Sequence, residues 1–271
     1  MLEKYGVEIF CPEEYTKQET DVTYPNVEKV SYYSATCEKN RNVNIMLPIG
    51  YTTDKKYPVM YVLHGIFGDE NSMLGTTTVI NNAIRKGIAE EMIVVYPYMY
   101  ASKTQDVCTA IDDVNCAAYD NFVNELVNDL MPYMTANYSV AEGKENTAVV
   151  GFSMGGRESI AIGIQKPEKV GYVGAIASAP GLVPSQDWAM KHPGQFEENE
   201  LVFGKEKLIL FMLCTGDSDK TVGLFPKSYH EIFEKNQVEH IYWEIPGSDH
   251  GDPAISSGIY NFVKNVFKPA K

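Results

Sequence analysis

Residues 148–159 read AVVGFSMGGRES. A run of small and β-branched residues, Ala148, Val149 and Val150, meets Gly151, Phe152, Ser153, Met154, Gly155 and Gly156. Gly-x-Ser-x-Gly alone is cheap and arises by chance in about one chain in ten of this length. One reading is a glycine-rich turn. The other is a nucleophile elbow, in which glycines leave room for a strained strand-to-helix turn that exposes a serine hydroxyl. The surrounding sequence decides between them.

The stretches around it alternate in type. VEKVSYYSATCEKNRNVNIMLPIGY (27–51) alternates about a polar turn expected at 38–42, which predicts an antiparallel hairpin. YPVMYVLHG (57–65) and EMIVVYPYM (91–99) are continuous apolar runs, as in strands buried on both faces. Helical sequence is expected around 76–87. A polar loop, 101–117, leads to a helix over 119–138, where Phe122, Leu126, Val127 and Leu130 recur at helical spacing. Further strands are expected in TAVVGFS, VGYVGAIASAP, KLILFMLCTGD and EHIYWEIPG, with helices after Ser153 and over 253–267. This alternation predicts an α/β fold with a mostly parallel, doubly wound sheet and an N-terminal antiparallel hairpin. Ligands collect at the carboxyl ends of such strands, and Ser153 falls at one.

The chain has 271 residues, 44% of them hydrophobic, enough for one large core. No linker, repeat or low-complexity tract interrupts it, so one domain over 1–271 is expected. The longest apolar runs, such as LILFMLC (208–214), are too short to cross a bilayer, and no membrane partner is expected. The net charge of −13, without clustered Lys and Arg, argues against nucleic acid. The five cysteines include no Cys-x-x-Cys pair, and no metal site or cofactor is expected. Cys108 and Cys116 flank a polar loop, and their pairing is left open. The acidic opening lacks the apolar core of a signal peptide. A cytosolic protein, or a mature or excised domain, fits that opening.

A serine is a weak nucleophile until a base takes its proton, and the base needs a third group to set its tautomer. In elbow-bearing sheets the chain order is Ser, acid, His. Of five histidines, His250 in PGSDHGDP follows the last strand, where a sheet-end base belongs. LCTGDSDKTVG offers two acids, Asp217 and Asp219. Gly216, Asp219 and Val222 have the Gly-x-x-Asp-x-x-Val spacing of this loop in serine hydrolases, which favours Asp219. The oxyanion needs preorganised N–H donors. Met154 follows the nucleophile, and the loop HGIFGDENSM supplies the other, Ile66 before Phe67.

YPVMYVLHGIFGDENSM, YDNFVNELVNDLMPYMTANYSV, VVGFSMGGRESIAIGIQKPEKVGYVGAIASAPG and HIYWEIPGSDHGD together resemble the feruloyl and acetylxylan esterases of carbohydrate esterase family one, the esterase D or antigen 85 superfamily. The resemblance covers roughly residues 27 to 267. It implies an α/β-hydrolase fold and hydrolysis of ester decorations on plant xylan or xylo-oligosaccharides. It implies Ser153, Asp219 and His250 as triad, with the Ile66 and Met154 amides as oxyanion hole. A feruloyl esterase is expected first and a secreted location with it. An acetylxylan esterase, an S-formylglutathione hydrolase-like thioesterase, and an acyltransferase or carbohydrate-binding relative are the alternatives. Aromatic residues after two strands, Tyr98, Tyr100 and Trp188, are the expected contacts for an aromatic acyl group.

Overall fold

The computed structural model describes residues 1–204 and 206–268. Its strands are β1 (Val27–Ser34), β2 (Lys39–Met46), β3 (Val59–Leu63), β4 (Ile93–Pro97), β5 (Thr147–Phe152), β6 (Tyr172–Ile176), β7 (Ser185–Gln186), β8 (Lys191–His192), β9 (Leu210–Gly216) and β10 (Ile241–Ile245). Eight of them form one sheet in the order β1-β2-β4-β3-β5-β6-β9-β10, and β7 pairs with β8 apart from it. In the large sheet β1 and β2 pair antiparallel, as does β2 with β4, and the remaining pairings are parallel. β3, β4, β6 and β9 are buried along their whole length, which is why they read as unbroken apolar runs.

The helices are α1 (Glu13–Thr16), α2 (Thr76–Arg85), α3 (Asp113–Asp120), α4 (Phe122–Glu125), α5 (Met131–Asn137), α6 (Met154–Gln165), α7 (Phe225–Lys235) and α8 (Ala254–Val263). Both faces of the sheet are covered. Neighbouring strand residues point to opposite faces. Val173 meets α6 at Gly163, whereas Gly174 meets α8 at Phe262. The chain therefore has the mostly parallel, two-faced α/β architecture expected.

Two local expectations are corrected. The β1–β2 turn lies at residues 35–38, earlier than expected. Asp129 draws it there by accepting the Ala35 and Thr36 N–H groups, and Glu38 takes φ 57°. The helical region begins at Asp113 and not near 119, because Asp112 caps it by accepting the Asn115 N–H at 2.8 Å. A π-helical turn, Leu126–Leu130, joins α4 to α5. The β7–β8 hairpin has no periodicity signal and was not expected. Cys108 and Cys116 are free thiols. Among the described residues no helix is long and apolar enough to cross a membrane.

The strand order sets the site. From β3 the chain moves to β4 on one side, then crosses to β5 on the other. The carboxyl ends of β3 and β5 thus sit side by side at the point where the winding reverses.

Candidate active site

Ser153 stands between β5 and α6 with φ 58° and ψ −116°, a conformation strained for a residue with a Cβ. The flanking glycines show why the turn demands them. A Cβ on Gly151 would lie 2.2 Å from the Gly155 carbonyl oxygen, and one on Gly155 would lie 2.4 Å from that of Leu63. The Ser153 N–H donates to the Ile176 carbonyl at 2.9 Å, which ties the turn to β6. The glycine-rich stretch is an elbow.

His250 lies in the loop between β10 and α8. Its Nε2 is 2.9 Å from Ser153 Oγ, and its Nδ1 is 2.7 Å from Asp219 Oδ2. The second oxygen of Asp219 accepts the Thr221 and Val222 N–H groups at 2.9 and 3.1 Å. The carboxylate is therefore held from both sides, and its bond to Nδ1–H leaves Nε2 as the acceptor for the serine hydroxyl. Asp217 does something else. Its Oδ1 accepts the Gly247 N–H at 2.7 Å, joining the acid loop to the base loop. Those loops come so close that a Cβ on Gly216 would sit 2.1 Å from the Ser248 carbonyl oxygen.

The oxyanion candidates separate on hydrogen bonding. The Phe67 N–H donates to the Tyr119 hydroxyl at 3.1 Å and is occupied. No carbonyl or side chain of the described residues accepts the Ile66 or Met154 N–H. The Ile66 amide is also aimed. His64 Nδ1 donates to the Gly65 carbonyl at 2.7 Å, and the Gly68 N–H adds a second bond at 3.1 Å. In a trans peptide the N–H points away from the C=O of the same unit, so holding Gly65 O directs the Ile66 N–H. The other ring nitrogen of His64 accepts the Met99 N–H at 2.9 Å. Burial pulls the His64 imidazolium down to about 4, so the ring is neutral, as this donor–acceptor pattern requires. Met154 opens α6 and so lies at the positive end of that helix.

Beneath the elbow, Arg157 is fully buried and binds Glu158 Oε1 through Nε at 2.8 Å, with Asp120 on Nη2. Gln195 Nε2 donates to Asp120 Oδ1 at 3.0 Å and to Glu158 Oε1 at 3.1 Å. Two carboxylates share one guanidinium, Glu158 buried and Asp120 at the edge of solvent. Burial raises the Glu158 carboxyl to about 7, with Arg157 opposing and Asp120 reinforcing the rise. Through Gln195 this network anchors the segment that carries the β7–β8 hairpin.

The expected aromatic contacts divide. Tyr100 is 0% exposed, and its hydroxyl is spent on Gln105 and, at 2.6 Å, on Asn115. It is a core residue, and the expectation that it touches substrate is corrected. The Tyr98 ring stacks on His64 with centroids 5.7 Å apart and lies 4.8 Å from the Arg41 guanidinium. Its hydroxyl donates to the Asp106 carbonyl, and its ring supports the loop that carries the Ile66 amide through His64. Trp188 is 75% exposed at the tip of the β7–β8 hairpin. Asp187 builds that tip by accepting the Ala189 and Met190 N–H groups at 2.8 Å each. Sequence reasoning passed over Tyr119 and the role of His64, since neither carries a motif signal for the contact it makes.

The strand order and the elbow at its switch point define an α/β-hydrolase with a serine-hydrolase site. The chain belongs to the esterase family whose model, described as "Putative esterase", matches residues 34–249, and within it to the CE1 esterases. It is 43% identical to a CE1 ferulic acid esterase from Anaeromyces mucronatus solved in complex with ferulic acid. That match covers 96% of this chain and 97% of the other, with a TM-score of 0.94. An endo-1,4-beta-xylanase/feruloyl esterase from Xylanibacter ruminicola is 27% identical over 212 residues, 75% of this chain. Endo-1,4-beta-xylanase Y from Acetivibrio thermocellus is 28% identical over 130 residues, 43% of this chain. The chain spans 26% and 11% of the length of these two relatives.

Proposed function

We propose that the chain is a serine esterase that releases ferulic or related hydroxycinnamic acids from plant xylan through an acyl-enzyme. The observation that carries the reading is the continuous Ser153–His250–Asp219 hydrogen-bonded chain at an elbow. Ser153 Oγ attacks the ester carbonyl while His250 Nε2 takes its proton. Asp219 holds Nδ1–H and balances the imidazolium. The Ile66 and Met154 N–H groups receive the oxyanion of the tetrahedral intermediate. The intermediate collapses as His250 returns the proton to the departing sugar hydroxyl. Water then repeats the sequence on the acyl-enzyme, freeing the acid and Ser153.

The aromatic acyl group is supported by the exposed Trp188, a flat apolar surface on a hairpin, and by the ferulic acid bound to the Anaeromyces relative. The xylanase names of the curated relatives support xylan as the polymer. Xylan lies in plant cell walls, so we place the activity outside the cell. A hydrolysis panel of methyl ferulate, an acetylated xylo-oligosaccharide and S-formylglutathione tests the reading. Highest kcat/KM on methyl ferulate is expected. Preference for either other substrate overturns the acyl assignment and leaves the serine chemistry intact.

A further inference from the structure

The base of the candidate triad is carried by a loop, and the residue before the nucleophile packs on it. Phe152 ends β5, one position ahead of Ser153, and is half-buried. Its ring centroid lies 4.5 Å from that of His250, with 37° between the planes. The imidazole thus lies against the ring and not edge-on to it. The phenyl ring also neighbours Gly65, where an added Cβ would stand 3.6 Å from Phe152 Cδ1 and 3.4 Å from Ser153 Cβ. Phe152 therefore touches both the base and the loop that carries the Ile66 amide.

We infer that Phe152 is a positioning residue for His250, and that its ring face favours the imidazolium formed when Ser153 gives up its proton. The inference rests on the triad reading above. Two hydrogen bonds define the line from Asp219 through His250 to Ser153, but they leave the ring free to tilt about that line. An aromatic surface at 4.5 Å removes that tilt. The face of an aromatic ring is negative and attracts a cation within about 6 Å of its centroid. The attraction grows only once His250 is charged, so it acts on the transition state more than on the resting enzyme.

Other charged groups around the imidazole are fixed by their own bonds. Asp219 is on Nδ1. Asp249 accepts the His250 N–H at 2.8 Å and the Lys220 N–H at 3.1 Å, and its charge also faces the imidazole. The Lys220 charge faces Asp249. Among the described residues, Phe152 is the aromatic ring that packs on the imidazole, tilted by 37°.

The test compares Phe152→Leu, Phe152→Met and Phe152→Tyr with wild type on methyl ferulate and on p-nitrophenyl acetate, across pH, after thermal denaturation shows each variant folded. Leu and Met keep apolar volume and lose the π face; Tyr keeps both. The expected result is a kcat roughly tenfold lower for Leu and Met on both esters, with KM within about twofold. The acidic limb of their kcat/KM profiles should move about half a unit to lower pH, because the cation has lost a partner. Phe152→Tyr should restore both rate and profile. An active wild type whose Leu and Met variants keep the wild-type acidic limb overturns this role alone. So does failure of Tyr to restore the profile. A wild type that cleaves no ester overturns the esterase reading and this role with it.

Discussion

Asp217 Oδ1 accepts the Gly247 N–H at 2.7 Å, and so the acid that does not face His250 joins the loop that carries it. Two carboxylates in one turn have divided the work. Asp219 meets the base, and Asp217 holds the two loops in register.

Asp219→Asn should therefore lower kcat far more than Asp217→Asn. An amide keeps the shape but cannot balance the imidazolium, and the analogous change in a serine protease costs about 10⁴ in kcat. Asp217→Asn keeps the carbonyl acceptor for Gly247 and should cost less than about tenfold. Steady-state kinetics on methyl ferulate decide; a larger loss in Asp217→Asn would contradict the division.

Ser153→Ala should lose on the order of 10⁶ in kcat, the scale seen when a nucleophile is removed from a working triad. The variant should unfold close to the wild-type temperature, since alanine keeps the Cβ at φ 58° and gives up only the hydroxyl's bond to His250. Residual turnover within tenfold of wild type would exclude Ser153 as the nucleophile.

Trp188→Ala should raise KM for methyl ferulate about tenfold while leaving kcat/KM for p-nitrophenyl acetate near wild type. The side chain is exposed, so its loss removes ligand surface and little core. Stability should shift by less than about 0.5 kcal/mol. Equal losses on both esters would show that the hairpin does not select the aromatic acyl group.

His64 predicts a pH dependence of stability. Burial lowers its folded value to about 4 from an ordinary 6.5, so the unfolded chain binds the extra proton between these limits. Stability then rises with pH across that window. The contribution is complete above pH 6.5 and is lost as pH falls toward 4, by at most about 3 kcal/mol. Glu158 works in the opposite sense: raised to about 7, it stabilises most below 4.5 and less as pH rises through 7. Urea denaturation at pH 7.5 and 5 should show a smaller loss on acidification in His64→Asn than in wild type. An unchanged loss would mean that His64 is not the neutral, buried acceptor of Met99.

Much of the site was legible in the sequence because its constraints are local. Gly151 and Gly155 are demanded by carbonyl oxygens within a few residues or on the next strand, so the motif itself records the elbow. Apolar runs recorded the buried strands, and their alternation with helices recorded a parallel sheet. Ser153 at a strand end and His250 after the last strand followed from that order.

What the tertiary structure decided lies in contacts between residues far apart in the chain. Ser153 and His250 are 97 positions apart, and nothing in either segment encodes the 2.9 Å between them. The spacing already favoured Asp219, but only the fold lays its carboxylate 2.7 Å from His250 Nδ1 and turns Asp217 to the Gly247 N–H. Tyr98, Tyr100 and Trp188 share a composition signal, yet one buttresses a loop, one is core and one is exposed. An aromatic side chain serves burial and recognition equally well, so its role depends on which neighbours the fold brings to it. The motif assigns Phe152 no role, and only the folded chain lays its ring against the base.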